Sequence, residues 1–287
     1  MKIKITSFST YALSILCSCG HGFIHSVYRK TVNIQIGASL LALQSSPSPQ
    51  SPLSLMTELT SDQIESLSFL PGQRVEVMPE EICIFTGTNV FCFDCSGASV
   101  FDSLLLPCSH LSWTRFLRPA LSGSTSTGFC LLFTDSKEDA PGDQFLINKA
   151  AMSKLMAASD HFYKEDYPSS AFILSGLIGL GIGLTPSGDD FLCGVLAGLI
   201  LTGHEQHPFS SCLREAVASH LTDTNDISRS FLSCALEGHF SRPVKELVYA
   251  SSPKEIQTSF GEVGHSSGMD TLCGILFICS LLLDKRP

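Results

Sequence analysis

Two ten-residue stretches constrain this chain more than any other feature: "SGDDFLCGVL" at 187 to 196 and "SGMDTLCGIL" at 267 to 276. Ser, Gly, Asp, Leu, Cys, Gly and Leu recur at identical spacing, and Val exchanges for Ile at a further position. Two apolar helices are expected to begin near 188 and 268, in two equivalent halves related by a local pseudo-twofold axis. Each half would deliver one Ser-Gly helix entrance to a common place. Ser187 with Asp190, and Ser267 with Asp270, fit the S-x-x-D form of a capping box, in which the hydroxyl accepts a first-turn N–H. Such a cap contributes about 1 kcal/mol. Gly194 and Gly274 are expected to let two buried helices approach closely.

Capping does not account for "GLGIG" at 179 to 183 or for Asp189 beside Asp190. Glycine costs conformational entropy, so three in five residues imply a tight turn or a close approach. A glycine-rich loop running into a helix offers unpaired N–H groups to an anion. On that reading Gly181, Gly183, Thr185, Ser187, Gly188, Ser267 and Gly268 bind a small anion. Lys is absent where a P-loop needs it, and the dinucleotide glycine spacing is not met. Asp189 and Asp190 suit an amide or ammonium-like N–H, or Mg²⁺ through oxygen ligands.

Other polar groups are less specific. His265, in "GHSSGMD", can act as acid, base or donor near neutral pH, or be a plain structural residue. "DTNDISRSF" at 223 to 231 brings Asn225 and Ser228 to a helix start, with Asp226 as the expected cap. Arg29, on an expected strand, suits carboxylate or phosphate capture, or is a solvated charge.

A formal charge of −9 over 287 residues, with no basic run beyond "YRK", excludes a nucleic-acid partner. Cys92, Cys95, Cys108 and His110 can make up a zinc set, but the flanking aromatics read as a strand, and reduced structural thiols in a cytoplasm are the simpler account. The amino terminus, "MKIKITSFSTYALSILCSCG", places lysines before a partly apolar stretch without a clean cleavage pattern. The apolar runs 191–201 and 271–283 fall short of the roughly 20 residues that span a bilayer. The expectation is a cytoplasmic chain with no membrane span and no cofactor, Mg²⁺ apart.

The fold class is read as α+β, a β-rich N-terminal half followed by a helical C-terminal half with an internal repeat. "SVYRKTVNIQIG" and "SLLALQ" alternate as strands, "SSPSPQSPLSL" is a loop, "TGTN" joins two further strands, and "GFCLLFTD" reads as one more. From 143 the spacing is helical, with Phe145, Leu146, Ala150, Met152 and Leu155 as an apolar face. Further helices are expected near 210–221, 227–239, 243–250 and 254–262. The domains expected are 1–142, β-rich, and 143–287, helical.

"GLGIGLTPSGDDFLCG", "TNDIS", "GHSSGMDTLCG" and "HSVYRKTVNI" together resemble the AllH-like family, long catalogued as a domain of unknown function. The likeness runs in order from about residue 21 to 283. Ile182 stands where the family often has Pro, and Ser266 where it often has Thr. The resemblance implies a bacterial subunit of oxamate carbamoyltransferase, a transferase acting with FdrA-like and AllG-like proteins in anaerobic allantoin and purine breakdown. The implied reaction takes oxalurate and phosphate to oxamate and carbamoyl phosphate. The family pattern covers the residues of both entrances together with Asn225, Ser228, Gly264, His265, Asp270 and Arg29. The expected roles are catalytic for Asp189, Asp190 and His265, and binding of a small anion such as carbamoyl phosphate, phosphate or oxamate for the rest. The alternative is a non-catalytic structural or regulatory subunit that binds a small anion.

Overall fold

The computed structural model describes residues 2–18, 20–78, 80–87, 89–122, 128–134 and 142–283. By its own contacts the chain divides into two units, Met1–Leu104 and Leu105–Pro287. That division precedes the change of texture at 143. Trp113, Leu117, Leu121 and Phe129 join the same buried cluster as the later helices, so the segment ahead of 143 packs with them.

The first unit is a barrel. Its strands are β1 (Lys2–Ser9), β2 (Gly20–Val27), β3 (Thr31–Ile36), β4 (Ser39–Gln44), β5 (Ser54–Thr57), β6 (Arg74–Met78), β7 (Glu81–Phe85), β8 (Val90–Asp94) and β9 (Ser99–Phe101). Eight of them close in the order β5-β4-β3-β2-β6-β7-β8-β1, with β1 returning to β5, and β9 adds to β1. Closure leaves these eight strands no free edge. The period of two is plain in "RVEVM", where Val75 and Val77 turn inward beside Ile24, Ile34, Ile82, Ile84 and Phe93. Helices α1 (Thr10–Cys17) and α2 (Ser61–Ser66) add Leu16 and Ile64 to that core.

Thr86 N–H donates to the Asn89 carbonyl at 2.9 Å, where the chain passes from β7 to β8. "RVEVM" forms a further strand, β6, ahead of the two on either side of "TGTN". The expectation of reduced thiols does not hold for Cys83 and Cys92. They are direct cross-strand partners with Cα atoms 4.2 Å apart, and they form a disulfide. That bond takes Cys92 out of the zinc set.

The second unit holds α3 (Leu117–Ser122), α4 (Asp143–Tyr163), α5 (Tyr167–Ser175), α6 (Ser187–Leu201), α7 (Pro208–Ser219), α8 (Asp226–Leu236), α9 (Arg242–Glu246), α10 (Pro253–Gly261) and α11 (Ser267–Leu283). The fold is thus a β-rich N-terminal half followed by a helical C-terminal half. "GFCLLFTD" is not a strand: Gly128–Leu132 forms a 3-10 turn opening on Gly128 at φ +58°. The face of α4 also differs. Asn148, Ala151, Leu155, Ala158 and Phe162 are buried, while Phe145, Leu146 and Met152 are exposed. Small Ala151 and Ala158 let that side dock closely, which larger residues would prevent.

Helices α6 and α11 are apolar on all sides and lie buried along nearly their whole length. Their glycines meet reciprocally. A Cβ on Gly194 would lie 2.0 Å from the Thr271 carbonyl oxygen, and one on Gly274 would lie 2.0 Å from that of Phe191. No helix among the described residues is long and apolar enough to cross a membrane.

Candidate functional site

Both helix entrances differ from the capping box that the sequence implies. The N-cap of α6 is Pro186, without a side-chain cap bond. Its first-turn donors use loop carbonyls instead: Gly188 N–H donates to Leu180 at 2.8 Å and Asp189 N–H to Pro186 at 3.0 Å. At α11, Gly268 N–H donates to the Val263 carbonyl at 3.0 Å and Asp270 N–H to that of Ser266 at 2.8 Å. Pro186 fixes the turn and has no hydroxyl, so the loop itself caps the helix. The donors of Gly188 and Gly268 are therefore already engaged within the chain.

Freed from capping, the hydroxyls bridge the entrances. Thr185 Oγ1 lies 2.7 Å from Ser267 Oγ. Gly181, at φ +149°, passes so close to Ser187 that a Cβ would lie 2.3 Å from its backbone nitrogen. Gly183, at φ +110°, has open space around it, so its need is conformational. Ile182 and Leu184, between and beyond these glycines, are exposed.

The three aspartates do different things. Asp189, 1% exposed, accepts from Gly179 N–H at 2.8 Å on one oxygen and from the Thr224 hydroxyl at 2.6 Å on the other. It ties the glycine loop to the segment before α8. Asn225, not Asp226, caps α8: its Oδ1 accepts from Ile227 and Ser228 N–H, each at 3.1 Å, while its amide donates to the Leu184 carbonyl at 2.9 Å. Asp226 instead pairs with Arg229 at 3.0 Å. Burial pushes Asp189 up, opposed by Thr224, Gly179 and Ser228.

Asp190 and Asp270 are the unusual pair. Asp270 is fully buried, and its Oδ1 accepts from Phe129 N–H at 2.6 Å. Asp190 is 8% exposed. The Oδ2 of each is buried with no hydrogen-bond partner among the described residues. Burial, then the charge of Asp270, push Asp190 well above the usual carboxylate range, against the hydroxyls of Thr185 and Ser267. Burial pushes Asp270 up to about 6, against Phe129 N–H and the hydroxyls of Ser187 and Ser266. The same two loops thus surround both acids with hydroxyls. Cys193, three residues beyond Asp190, is driven far above its ordinary value by burial and by Asp190, so it is no thiolate nucleophile at neutral pH.

His265 is exposed on the loop before α11. Arg29 sits in the turn after β2 rather than on a strand, and it pairs with Asp62 at 3.1 Å, both side chains largely exposed. Ser228 is buried near Asp189, and its hydroxyl favours the ionised form of that carboxyl. Sequence reasoning missed the Gly128–Phe129 backbone, which approaches so closely that a Cβ on Gly128 would lie 2.3 Å from Asp270 Oδ1. No local signal marks a contact between residues so distant in sequence. A groove of about 670 Å³ lined by Leu247, Tyr249, Ile256 and Phe260 includes none of the acids. Among the described residues, Glu81, Cys83 and Cys92 are the group whose ligand atoms cluster within 4.8 Å, and two of them are joined as a disulfide.

A β-barrel unit followed by a helical unit, with a Gly/Ser/Asp loop cluster at two helix entrances, defines the class of protein. Residues 4–100 match the family model described as AllH family N-terminal domain, and residues 177–279 match that described as oxamate carbamoyltransferase subunit AllH. The chain belongs to the AllH family. No solved structure matches it. The family's description indicates a subunit of oxamate carbamoyltransferase, and a subunit has partner proteins.

Proposed function

We propose that this chain acts, with FdrA-like and AllG-like subunits, in converting oxalurate and phosphate to oxamate and carbamoyl phosphate during bacterial allantoin breakdown. A phosphate oxygen adds to the carbamoyl carbon of oxalurate. The bond from that carbon to the oxamate nitrogen breaks, and the nitrogen takes up the proton that phosphate gives up. The addition passes through a negatively charged tetrahedral centre, which fixed donors stabilise.

One observation carries the reading: Thr185 and Ser267, from entrances far apart in sequence, meet at 2.7 Å beside buried acids. The reciprocal glycine contacts support two equivalent halves that converge there. In this reading the hydroxyls of Thr185, Ser187 and Ser267 donate to the anionic centre, with Ser228 and Asn225 shaping its wall. Gly181, Gly183, Gly188 and Gly268 let the backbone approach. Asp190 and Asp270 face the reacting group, and Asp189 holds the loop that carries Thr185. His265 relays a proton at the surface, and Arg29, in the first unit, is a separate candidate for carboxylate capture.

The test is to co-purify the chain with FdrA-like and AllG-like partners and to follow phosphate-dependent cleavage of oxalurate with and without it. Activity that ignores this chain ends the proposal. The engaged first-turn donors of Gly188 and Gly268 favour a second reading, a non-catalytic subunit. Under it, Asp190→Asn leaves the activity of the complex unchanged.

A further inference from the structure

We propose that Asp190 and Asp270 form the amide-recognising end of this site, their two Oδ2 atoms taking the –CONH₂ of a carbamoyl or oxamate group, one at its carbonyl and one at its –NH₂. The inference rests on the site reading above and assigns the end of the substrate that these two acids take.

The argument starts from what is unsatisfied. A buried acceptor without a donor costs about 1–3 kcal/mol, and native folds keep few of them. Here two stand together, on Asp190 and Asp270, each the fourth residue of its helix. The groups acting on the two acids are hydroxyls, the Phe129 N–H and neighbouring carboxylates, with no Lys or Arg among them. What each Oδ2 lacks is a hydrogen-bond partner.

The charge of the pair narrows the guest. Phosphate or oxalate brings negative charge against two carboxyl groups and is repelled. A primary amide is neutral, and it presents two N–H donors beside one carbonyl acceptor. Burial favours the protonated form of both acids, so a proton held on either one makes it a donor. One O–H then donates to the amide carbonyl while the opposite oxygen accepts from –NH₂, a two-sided match. Asp190 keeps 8% exposure, and Thr185 and Ser267 are partly exposed, so solvent lies one side chain away. The substrates and products of the proposed reaction, phosphate apart, each carry an –NH₂ on a carbonyl.

Oxamate and oxalate separate the cases, because they differ in placing –NH₂ or a carboxylate oxygen on the same skeleton. Calorimetric titration at pH 7 is run on the full chain and on its co-purified complex with oxamate, oxalate and Mg²⁺ alone. Oxamate is expected to bind at least tenfold tighter than oxalate, and Asp190→Asn and Asp270→Asn to abolish that preference. The wild-type comparison stands by itself if either variant fails to fold. Equal or tighter oxalate binding overturns the assignment. So does Mg²⁺ binding that both variants remove, or the absence of oxamate binding to chain and complex alike. If oxalurate cleavage still requires the chain in such a case, the transferase role survives and only the amide site falls.

Discussion

Gly194 and Gly274 face each other where α6 meets α11: a Cβ on Gly194 would lie 3.0 Å from the Gly274 Cα. With the Thr271 carbonyl only 2.0 Å from the same point, the obstacle is backbone, which cannot rotate aside.

Gly194→Ala and Gly274→Ala are each expected to destabilise the chain by about 2–3 kcal/mol, the upper part of the range for overpacked cores. Gly183→Ala, with open space around it but a positive φ, should cost only about 1 kcal/mol. Urea midpoints of the three variants check this, and equal midpoints would refute the close packing.

Asp270 makes stability depend on pH. Its folded value near 6 exceeds the unfolded 3.8, so the folded state keeps a proton that the unfolded state releases between those values. Stability is therefore full below about pH 4 and declines as pH rises through 6, by about 3 kcal/mol. Asp190 shifts in the same direction. Asp270→Asn removes this titration. Its melting temperature is expected to match wild type at pH 4 and to exceed it at pH 7.5. A constant difference across that range would contradict the raised value.

Asp189→Ala leaves Gly179 N–H and the Thr224 hydroxyl without their acceptor. A loss of about 2 kcal/mol is expected, less than for a fully favourable charge because burial already opposes ionisation. Hydrogen exchange should speed up at Gly179 if the clamp is real, and remain unchanged if it is not.

Thr185 and Ser267 are expected to couple. In a double-mutant cycle with Thr185→Val and Ser267→Ala, their 2.7 Å contact should give about 1 kcal/mol of interaction. In the reconstituted complex each single variant should lower oxalurate cleavage at least tenfold under the catalytic reading. Full activity in both would assign the contact to folding alone.

Much of this protein was legible in one dimension. The period-two runs around Val75 and Val77 mark strands, and the apolar runs from Phe191 and Leu272 mark buried helices, because side-chain periodicity is a local consequence of backbone geometry. The recurring Ser-Gly-x-Asp pattern located both helix starts within a residue. Pattern alone misled at α4, where Phe145 and Leu146 are exposed and Ala151 is buried, since docking distance rather than hydrophobicity selected the face.

The tertiary structure decided what each polar residue does. Ser187 has the spacing of a cap, yet Pro186 and loop carbonyls take that task and release the hydroxyls to the acids. Asp189 and Asp190 are neighbours in sequence, but one is held on both oxygens and the other retains an unpartnered one. Cys83 and Cys92 became a pair through strand register, and Phe129 reached Asp270 across 141 positions. Local order follows from neighbours along the chain, whereas the partner of a buried polar atom is set by whichever distant segment packing brings within hydrogen-bond reach.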